Sequence, residues 1–254
     1  MMKRILKWIL AVFGIVVILI GLFIGVYMIK ANSEIKLLTP VATKEVVSNI
    51  FSVKDSFVNL YLIKDSSQYI AVDAGRNLNA VSGELKKLNI NPDMITALLL
   101  THTDGDHVAA IKLFKNAKVY LSRQEEQLLT GKKSRFLIFG TKIDTKVYSL
   151  IDDQQIINIG NTKIKGILTP GHTYGSMCYL LNDKYLFTGD ALSLKNDKIE
   201  NFNKLFNSDT KTAIGSMAKI TGITEAEYIF TAHHGYSDDY KNAVKDWGKI
   251  ILPK

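Results

Sequence analysis

The amino-terminal part of the chain carries one long apolar segment with charges only at its ends. Residues 8–29, WILAVFGIVVILIGLFIGVYMI, are 22 residues without a charge. As an α-helix rising ~1.5 Å per residue they would extend about 33 Å, enough to cross the hydrocarbon core of a bilayer. Trp8 and Tyr27 lie near the two ends, where aromatic rings favour the membrane interface. The pattern predicts a single transmembrane helix that contacts the lipid bilayer through residues 8–29.

The charges around this segment predict its orientation. Lys3, Arg4 and Lys7 precede it, whereas the charges after it partly cancel. The positive-inside bias then places the N-terminus in the cytoplasm and the rest of the chain on the extracytoplasmic side of the cell membrane. A cleaved signal peptide would have a shorter apolar region and a small-x-small site, so we favour an uncut anchor. Gly21 and Gly25 have GxxxG spacing, which would allow a helix dimer, but glycine is common in membrane helices and the spacing alone does not support one.

Beyond Pro40 the pattern changes to short apolar or alternating runs separated by turn residues. Runs typical of strands cover residues 46–53, 57–64, 68–75, 94–100, 117–122, 155–160, 162–168, 176–181, 184–189 and 227–232. Apolar residues at helical spacing predict helices over 79–88, 107–114, 123–129, 208–220 and 238–250. Ser122 and Glu125 have the spacing of a capping box for the third of these helices. Strands mixed with amphipathic helices predict an α/β layered fold, a sheet core faced by helices.

Composition and charge narrow the classes of partner. The chain has 47% hydrophobic and 22% charged residues, which is typical of a protein with a packed core. Its net charge of +8 is spread over scattered lysines, so we interpret it as a solvated surface and expect no nucleic-acid partner. Cys178 is the single cysteine, which excludes an intramolecular disulfide and a cysteine-cluster metal site. Any metal ligands must therefore be histidines and carboxylates.

Histidines and aspartates stand where predicted strands end. The residues in these positions are His102, Asp104, Asp106 and His107 after strand 94–100, His172 after 162–168, Asp190 after 184–189, and His233 with His234 after 227–232. Loops at strand ends are where a rigid scaffold presents functional groups. Imidazole together with carboxylate is a ligand set for zinc, iron or manganese. The arrangement predicts a metal site.

The motifs that carry these residues resemble those of a known family. In order they are VDAG, THTDGDH, TPGHTYGS, FTGDAL and TAHHGYS, and from about residue 45 to the end the chain is similar to the metallo-β-lactamase superfamily of metal-dependent hydrolases. The resemblance implies a four-layered αβ/βα sandwich with a binuclear metal site along one edge of its sheets. The expected organisation is a cytoplasmic N-terminus and transmembrane anchor over 1–30, a juxtamembrane linker over 31–44 and a catalytic domain over 45–254.

The resemblance also implies a role for each residue. The implied ligands are His102 and His172 on the first metal, Asp106 and His107 on the second, and Asp190 between both. HHGYS is similar to the GHEYT ending of glyoxalase-II-like members, which favours His234 over His233 as the last ligand and leaves His233 beside the metal or the substrate. Asp106 would also be catalytic, because it can orient the nucleophile. Asp73, in AVDAG, is expected to hold a ligand histidine in place.

Asp104 departs from the family's HxHxDH pattern, which has a histidine at that position. A carboxylate oxygen can bind zinc at ~2.0–2.2 Å and shifts the preference toward harder ions such as iron or manganese. The similar flavodiiron proteins carry a glutamate there. We therefore favour Asp104 as a metal ligand. The alternative is a turn residue beside Gly105 that leaves a weakened first site.

These expectations define a function. The implied cofactors are two divalent metal ions, zinc or, because of Asp104, iron or manganese. Two bridged cations would lower the pKa of a water between them and supply hydroxide near neutral pH. This chemistry suits a hydrolase acting on a small-molecule substrate such as an ester, thioester, lactone or related compound, with residues 122–146 supplying a specificity loop. The 44 positions between Asp190 and His234 are too few for the extra domain of the family's nucleases.

Two alternatives remain at this point. One is a di-iron redox or sulfur-oxidising member of the superfamily, for which Asp104 is the only indication. The other is a non-catalytic metal-binding ectodomain, which gains weight if Asp104 does not ligate.

Overall fold

The computed structural model describes residues 2–135 and 139–247, and the chain divides into two units. The first unit, up to Leu38, consists of one α-helix, α1 (Met2–Ile35). The stretch Lys3–Ile35 is long and apolar enough to cross a membrane: its best 18-residue window has a mean hydropathy of 3.2, and none of that window is buried in the structure. The helix fits the predicted transmembrane segment, although a signal sequence near the N-terminus would meet the same criteria.

The second unit begins at Thr39 and contains the strands and the remaining helices of the described residues. Its strands are β1 (Lys44–Val47), β2 (Ile50–Asp55), β3 (Val58–Asp65), β4 (Gln68–Val72), β5 (Ile95–Leu99), β6 (Lys118–Ser122), β7 (Tyr148–Ile151), β8 (Ile156–Ile159), β9 (Thr162–Leu168), β10 (Met177–Leu181), β11 (Tyr185–Phe187), β12 (Leu192–Lys195), β13 (Lys198–Asn201), β14 (Tyr228–Phe230) and β15 (Tyr236–Ser237). Its helices are α2 (Leu78–Lys87), α3 (Gly105–Val108), α4 (Glu126–Leu129), α5 (Thr210–Thr221) and α6 (Tyr240–Val244), with 3-10 turns at Pro92–Met94 and Ile111–Leu113.

The first sheet has seven strands in the order β1-β2-β3-β4-β5-β6-β7. Strands β1 to β4 form an antiparallel meander, whereas β4, β5, β6 and β7 are parallel neighbours. Strand β5 is buried except at Thr96, which explains its largely apolar sequence. Parallel strands end at the same edge of a sheet, so Asp73 after β4 and Thr101 after β5 lie side by side. Thr101 N–H donates to the Asp73 carboxylate at 2.8 Å.

The second sheet has six strands in the order β15-β14-β11-β10-β9-β8. Its neighbours are antiparallel except β11 and β14, which are parallel. The tight turn between β10 and β11 places Asn182 and Asp183 at φ 51° and 52°, a conformation that Asn and Asp tolerate better than most residues. Because β11 and β14 end together, the loops carrying Asp190 and His233 are adjacent.

Three clusters of buried side chains separate four layers. Val81 of α2 shares a core with Leu98 on one face of the first sheet. The next residue of β5, Leu99, points to the opposite face and shares a core with Tyr179 of the second sheet. The far side of the second sheet packs on α5 through Met217. The order helix, sheet, sheet, helix confirms the predicted four-layered αβ/βα sandwich.

The predicted strand over 46–53 is two strands in the structure. Asn49 has φ 65° and turns the chain, so that β1 and β2 pair with each other as an antiparallel hairpin. Apolar residues stand directly on both sides of Ser48 and Asn49, which is why the sequence pattern did not separate the two strands. Strands β7, β12, β13 and β15 were not predicted.

Several predicted helices are shorter than expected. Helix α3 ends at Val108 because the Ala110 N–H donates to the carbonyl of Gly75, in another loop, at 3.2 Å. Helix α4 begins only at Glu126. The helix predicted over 238–250 corresponds to α6, which ends at Val244, and residues 248–250 of that prediction lie outside the described residues.

Candidate metal centre

Four loops bring the strand-end residues to one place. The loops follow β5, β9, β11 and β14, and they carry residues 102–107, His172, Asp190 and His233, respectively. The histidines of this set and Asp190 are buried, whereas the side chains of Asp104 and Asp106 are 21% and 22% exposed. The centre therefore has a dry interior and an open side that presents two carboxylates.

The side-chain atoms that could bind a metal ion fall into two clusters. The first cluster is His102, Asp104, His172 and Asp190, and the second cluster is Asp106, His107, His233 and Asp190. Asp190 belongs to both because its Oδ2 lies 3.4 Å from His172 Nε2, while its Oδ1 lies 3.2 Å from His233 Nε2. One carboxylate thus offers one oxygen to each cluster.

The spacing within each cluster suits a metal ion. A tetrahedral zinc with bonds of about 2.0–2.1 Å keeps its ligand atoms roughly 3.3 Å apart. In the second cluster, Asp106 Oδ2 lies 3.4 Å from His233 Nε2 and 3.6 Å from His107 Nε2, and Asp190 Oδ1 lies 3.5 Å from His107 Nε2. The first cluster is wider: His172 Nε2 lies 3.1 Å from Asp104 Oδ2, and His102 Nε2 lies 3.7 Å from the same oxygen and 3.9 Å from Asp190 Oδ2.

In three of the histidines, a hydrogen bond at one ring nitrogen determines that the other ring nitrogen faces the centre. His107 Nδ1 lies 2.9 Å from the Asp73 carboxylate, and His233 Nδ1 lies 2.7 Å from the Phe57 carbonyl. Both oxygens only accept, so each Nδ1 carries the proton. Thr101 donates its hydroxyl hydrogen to Asp73 and is left to accept from His102 Nδ1 at 3.1 Å. The Nε2 lone pairs are thereby directed into the centre, and the expectation that Asp73 holds a cluster histidine is met.

The polar atoms at the middle of the centre lack protein partners. His102 Nε2, His107 Nε2 and Asp190 Oδ1 are buried and make no hydrogen bond within the described residues. Leaving such atoms unsatisfied costs about 1–3 kcal/mol each. Divalent cations in the two clusters would satisfy them, so the residues present fit metal ions.

The carboxyl and imidazole groups of the centre have pKa values displaced in opposite directions. Burial raises the pKa of Asp190, but the surrounding histidines, His233 foremost, outweigh it and hold that pKa well below its usual range. Burial lowers the pKa of His107, but Asp190 and Asp106 outweigh it and raise that pKa well above the usual value. The surrounding imidazoles thus favour the anionic form of Asp190 in a buried place, as a bound cation would.

The adjacent histidines after β14 are placed differently. His233 is buried and belongs to the second cluster, whereas His234 is half-buried and belongs to neither. The turn that follows β14 closes with Thr231 N–H donating to the Gly235 carbonyl at 2.8 Å, and it directs His233 inward. The structure therefore places His233, and not the sequence-based choice His234, beside the other residues of the second cluster.

Asp104 lies in the first cluster and is also held by a residue that the sequence did not single out. Arg135 forms a two-pronged ion pair with it: Nη2 lies 2.6 Å from Oδ2, and Nε lies 2.7 Å from Oδ1. Burial raises the pKa of Asp104, but hydrogen bonds from His172 and Arg135 hold it well below its usual range. The sequence interpretations of Asp104, as a metal ligand or as a turn residue, did not predict its contact with Arg135.

Glu125 ties together two of the loops that form the centre. Its fully buried carboxylate accepts from Thr103 N–H at 2.8 Å, Thr103 Oγ1 at 2.6 Å, Thr173 Oγ1 at 2.7 Å and Gly175 N–H at 3.0 Å. Thr103 follows His102, and Thr173 follows His172. Only glycine fits at position 175, because a Cβ there would collide with the Glu125 backbone. Glu125 therefore positions the first cluster without touching it.

The capping-box spacing concealed this role. Ser122 Oγ does accept from the Glu125 N–H at 2.9 Å, as that motif requires. The Glu125 side chain, however, turns away from the helix and toward the two threonines. The only signal in the sequence was a threonine directly after each of two candidate histidines. That signal does not predict which residue accepts their hydrogen bonds.

Glu125→Gln is expected to destabilise the domain. The new amide group cannot accept the hydrogen bonds of one carboxylate oxygen, which leaves buried donors unsatisfied at about 1–3 kcal/mol. At 2–4 °C per kcal/mol for a domain of this size, the melting temperature should fall by about 2–12 °C. Thermal unfolding followed by circular dichroism measures it. Glu126→Gln is the matched control, since that half-exposed carboxylate lies 3.2 Å from the Tyr148 hydroxyl. Equal melting temperatures for the two variants would contradict the role given to Glu125.

An αβ/βα sandwich with a histidine–carboxylate centre where its strands end defines the class, a metal-dependent hydrolase fold. The model of the metallo-beta-lactamase superfamily matches residues 53–233, and the chain belongs to that superfamily. A solved B3 metallo-beta-lactamase described as having an active-site glutamic acid superposes with a TM-score of 0.66 at 20% identity, over 84% of this chain and 88% of that one. At this identity the likeness shows the fold.

Curated relatives carry hydrolase names. The chain is 37% identical over 138 residues to a probable polyketide biosynthesis zinc-dependent hydrolase, PksB, of Bacillus subtilis strain 168, covering 52% of this chain and 54% of the relative. It is 34% identical over 198 residues to the hydroxyacylglutathione hydrolase of Buchnera aphidicola subsp. Baizongia pistaciae, covering 76% and 66%. The matches thus span about half to two thirds of the length of these relatives.

Proposed function

We propose that the chain is a membrane-anchored metallohydrolase that cleaves a small ester, thioester, lactone or related compound. The observation that carries the proposal is Asp190, whose two oxygens each face a separate set of imidazole Nε2 atoms. A carboxylate placed in this way suits two cations side by side. The hydrolase names of the relatives support the reaction type, and the hydroxyacylglutathione hydrolase supports an acyl substrate.

The proposed ligands follow the two clusters. His102, Asp104, His172 and Asp190 would hold the first ion, and Asp106, His107, His233 and Asp190 would hold the second. His233 replaces His234 in this set. Zinc suits the second cluster, and the name of the Bacillus relative supports zinc. The carboxylate of Asp104 leaves iron or manganese open for the first cluster.

Divalent ions bound there would lower the pKa of a water between them toward 7 and polarise the carbonyl oxygen of the substrate. The protein's own contribution is to hold and orient. Asp106 lies at the open side and can accept a hydrogen bond from the attacking water, which aims the oxygen at the substrate. Asp73 keeps the proton of His107 on Nδ1, so that Nε2 stays available. The buried imidazoles exclude bulk water from the other sides of the centre.

The location remains part of the proposal. The helix α1 would anchor the protein as a single-pass membrane protein, with its N-terminus in the cytoplasm and the catalytic domain outside. The basic residues at its N-terminal end support that orientation.

Metal analysis paired with a hydrolysis panel tests the function. The full chain, purified in detergent, would be assayed against aryl esters, acyl thioesters and lactones before and after chelation, and again after zinc is restored. We expect hydrolysis of at least one class, loss on chelation and recovery with zinc. Bound iron without any hydrolysis would favour the di-iron redox alternative. A protein that binds no metal would contradict both enzyme functions.

A further inference from the structure

Arg135 brings a positive charge into the first cluster. Besides its ion pair with Asp104, its Nη2 lies 3.2 Å from His172 Nε2. The guanidinium thus contacts two of the four atoms that would hold the first ion. Its side chain is only 16% exposed.

The guanidinium is held there by further acceptors. Arg135 Nη2 donates to the Phe206 carbonyl at 2.9 Å, and Nη1 donates to Ser208 Oγ at 2.9 Å. A planar group with donors in a fixed fork is well suited to such simultaneous contacts. Its place in the cluster is therefore built by several segments of the chain and not by Asp104 alone.

The contact with His172 is incompatible with a metal on the same nitrogen. A neutral imidazole has one ring nitrogen with a lone pair in the ring plane. His172 Nε2 lies 3.2 Å from Arg135 Nη2, which only donates, and 3.1 Å from Asp104 Oδ2, which only accepts. In either tautomer the nitrogen is engaged by this pair, as acceptor from Arg135 or as donor to Asp104. A bond to a metal ion would need the same nitrogen with its lone pair free. Arg135 and the first ion therefore compete for His172, and their positive charges repel each other.

The second cluster carries no such competitor. Within residues 2–135 and 139–247, no lysine or arginine forms an ion pair with Asp106 or Asp190. Its ligand spacing is also closer to that of a tetrahedral ion than that of the first cluster. The two clusters thus differ in charge and in geometry.

We propose that the Arg135 guanidinium occupies the first cluster in competition with metal, so that the second cluster binds its ion tightly and the first binds one only when Arg135 is displaced. This inference rests on the proposed function, since it requires that the centre binds metal. It assigns Arg135 as the residue that sets the metal stoichiometry of the protein.

Zinc titration of the full chain in detergent tests the inference without an assay of activity. Wild type is expected to bind one zinc tightly and a second at least about 10-fold more weakly. Arg135→Met removes every donor and keeps the length of the side chain. It should strengthen binding of the second zinc by about 10-fold or more, which is 1.4 kcal/mol. Adding His172→Ala to Arg135→Met should remove the gained ion and so assign it to the first cluster.

Arg123→Met is the matched control. Arg123 forms a similar two-pronged pair with Asp152, at 2.7 and 3.0 Å, but on the exposed surface. It should titrate like wild type. Retention of one tightly bound zinc shows that an Arg135 variant is folded, and Arg135→Gln replaces Arg135→Met if that ion is lost.

Three results would overturn the inference. Two equally tight zinc ions in wild type would show that Arg135 does not compete. A second zinc that binds Arg135→Met no more tightly than wild type would also show that Arg135 does not compete, and weaker binding would show that Arg135 instead positions Asp104 as a ligand. In both cases the metallohydrolase proposal survives. Absence of zinc from wild type and Arg135→Met alike would overturn that proposal as well.

Discussion

Asp190→Ala is expected to weaken metal binding at both clusters and to lower kcat/KM by at least about 10³-fold, roughly 4 kcal/mol of transition-state stabilisation. The reason is that Asp190 offers one oxygen to each cluster, at 3.4 Å from His172 Nε2 and 3.2 Å from His233 Nε2. Its loss also removes the anion that offsets the charge of a bound cation. Metal content by mass spectrometry and initial rates on the best substrate of the hydrolysis panel measure the effect.

The control for Asp190→Ala is Asp152→Ala. Asp152 is exposed and pairs with Arg123 on the surface, so its loss should leave metal content and rate near those of wild type. Asp190→Ala with the zinc affinities of wild type at both clusters would refute the shared carboxylate. Retention of one ion with little loss of rate would show that a single cluster carries the reaction.

The second large effect is expected from a pair of neighbouring variants. His233→Ala should weaken zinc binding at the second cluster beyond the 10–100-fold that loss of a residue supporting a metal ligand typically causes. His234→Ala should stay within about 3-fold of wild type (less than 1 kcal/mol), because that half-buried imidazole belongs to neither cluster. Competition with a chromophoric chelator measures both affinities. The reverse order of effects would restore His234 as the ligand.

The sequence predicts the architecture because the relevant signals are local. Apolar runs of strand length alternate with helical spacing, and five motifs fall at the ends of strands. Since a strand end marks an edge of its sheet, residues such as His102 and Asp190 could be expected in one place before their contacts were known. The structure brings them together and adds that Asp190 turns a different oxygen to each cluster.

Choices that depend on the direction of a side chain could not be predicted in the same way. His233 and His234 differ by one position, and a turn closed between Thr231 and Gly235 decides which of them faces inward. Likewise, Asn49 with a positive φ splits a run of residues that the pattern joins. One backbone dihedral angle is enough to reverse such assignments, and composition does not report it.

Contacts between residues distant in sequence could not be predicted from the sequence pattern either. Arg135 lies 31 positions from Asp104 and Glu125 lies 22 from Thr103, so no spacing rule links them. Both residues stand in the segment 122–146 that was expected to shape specificity. Their contacts indicate that the same segment also sets the charge and the rigidity of the first cluster.

The division of the centre between two sheets has a consequence for folding. His102 and His107 follow a strand of the first sheet, whereas His172, Asp190 and His233 follow strands of the second. A bound ion is therefore a crosslink between the two halves of the sandwich, closing loops of many residues that the unfolded chain leaves open. A ligand that binds only the folded state stabilises it by about 4.1 kcal/mol when its free concentration is 1,000 times its Kd. The concentration of free zinc would then contribute, together with the apolar core, to how much of this domain is folded.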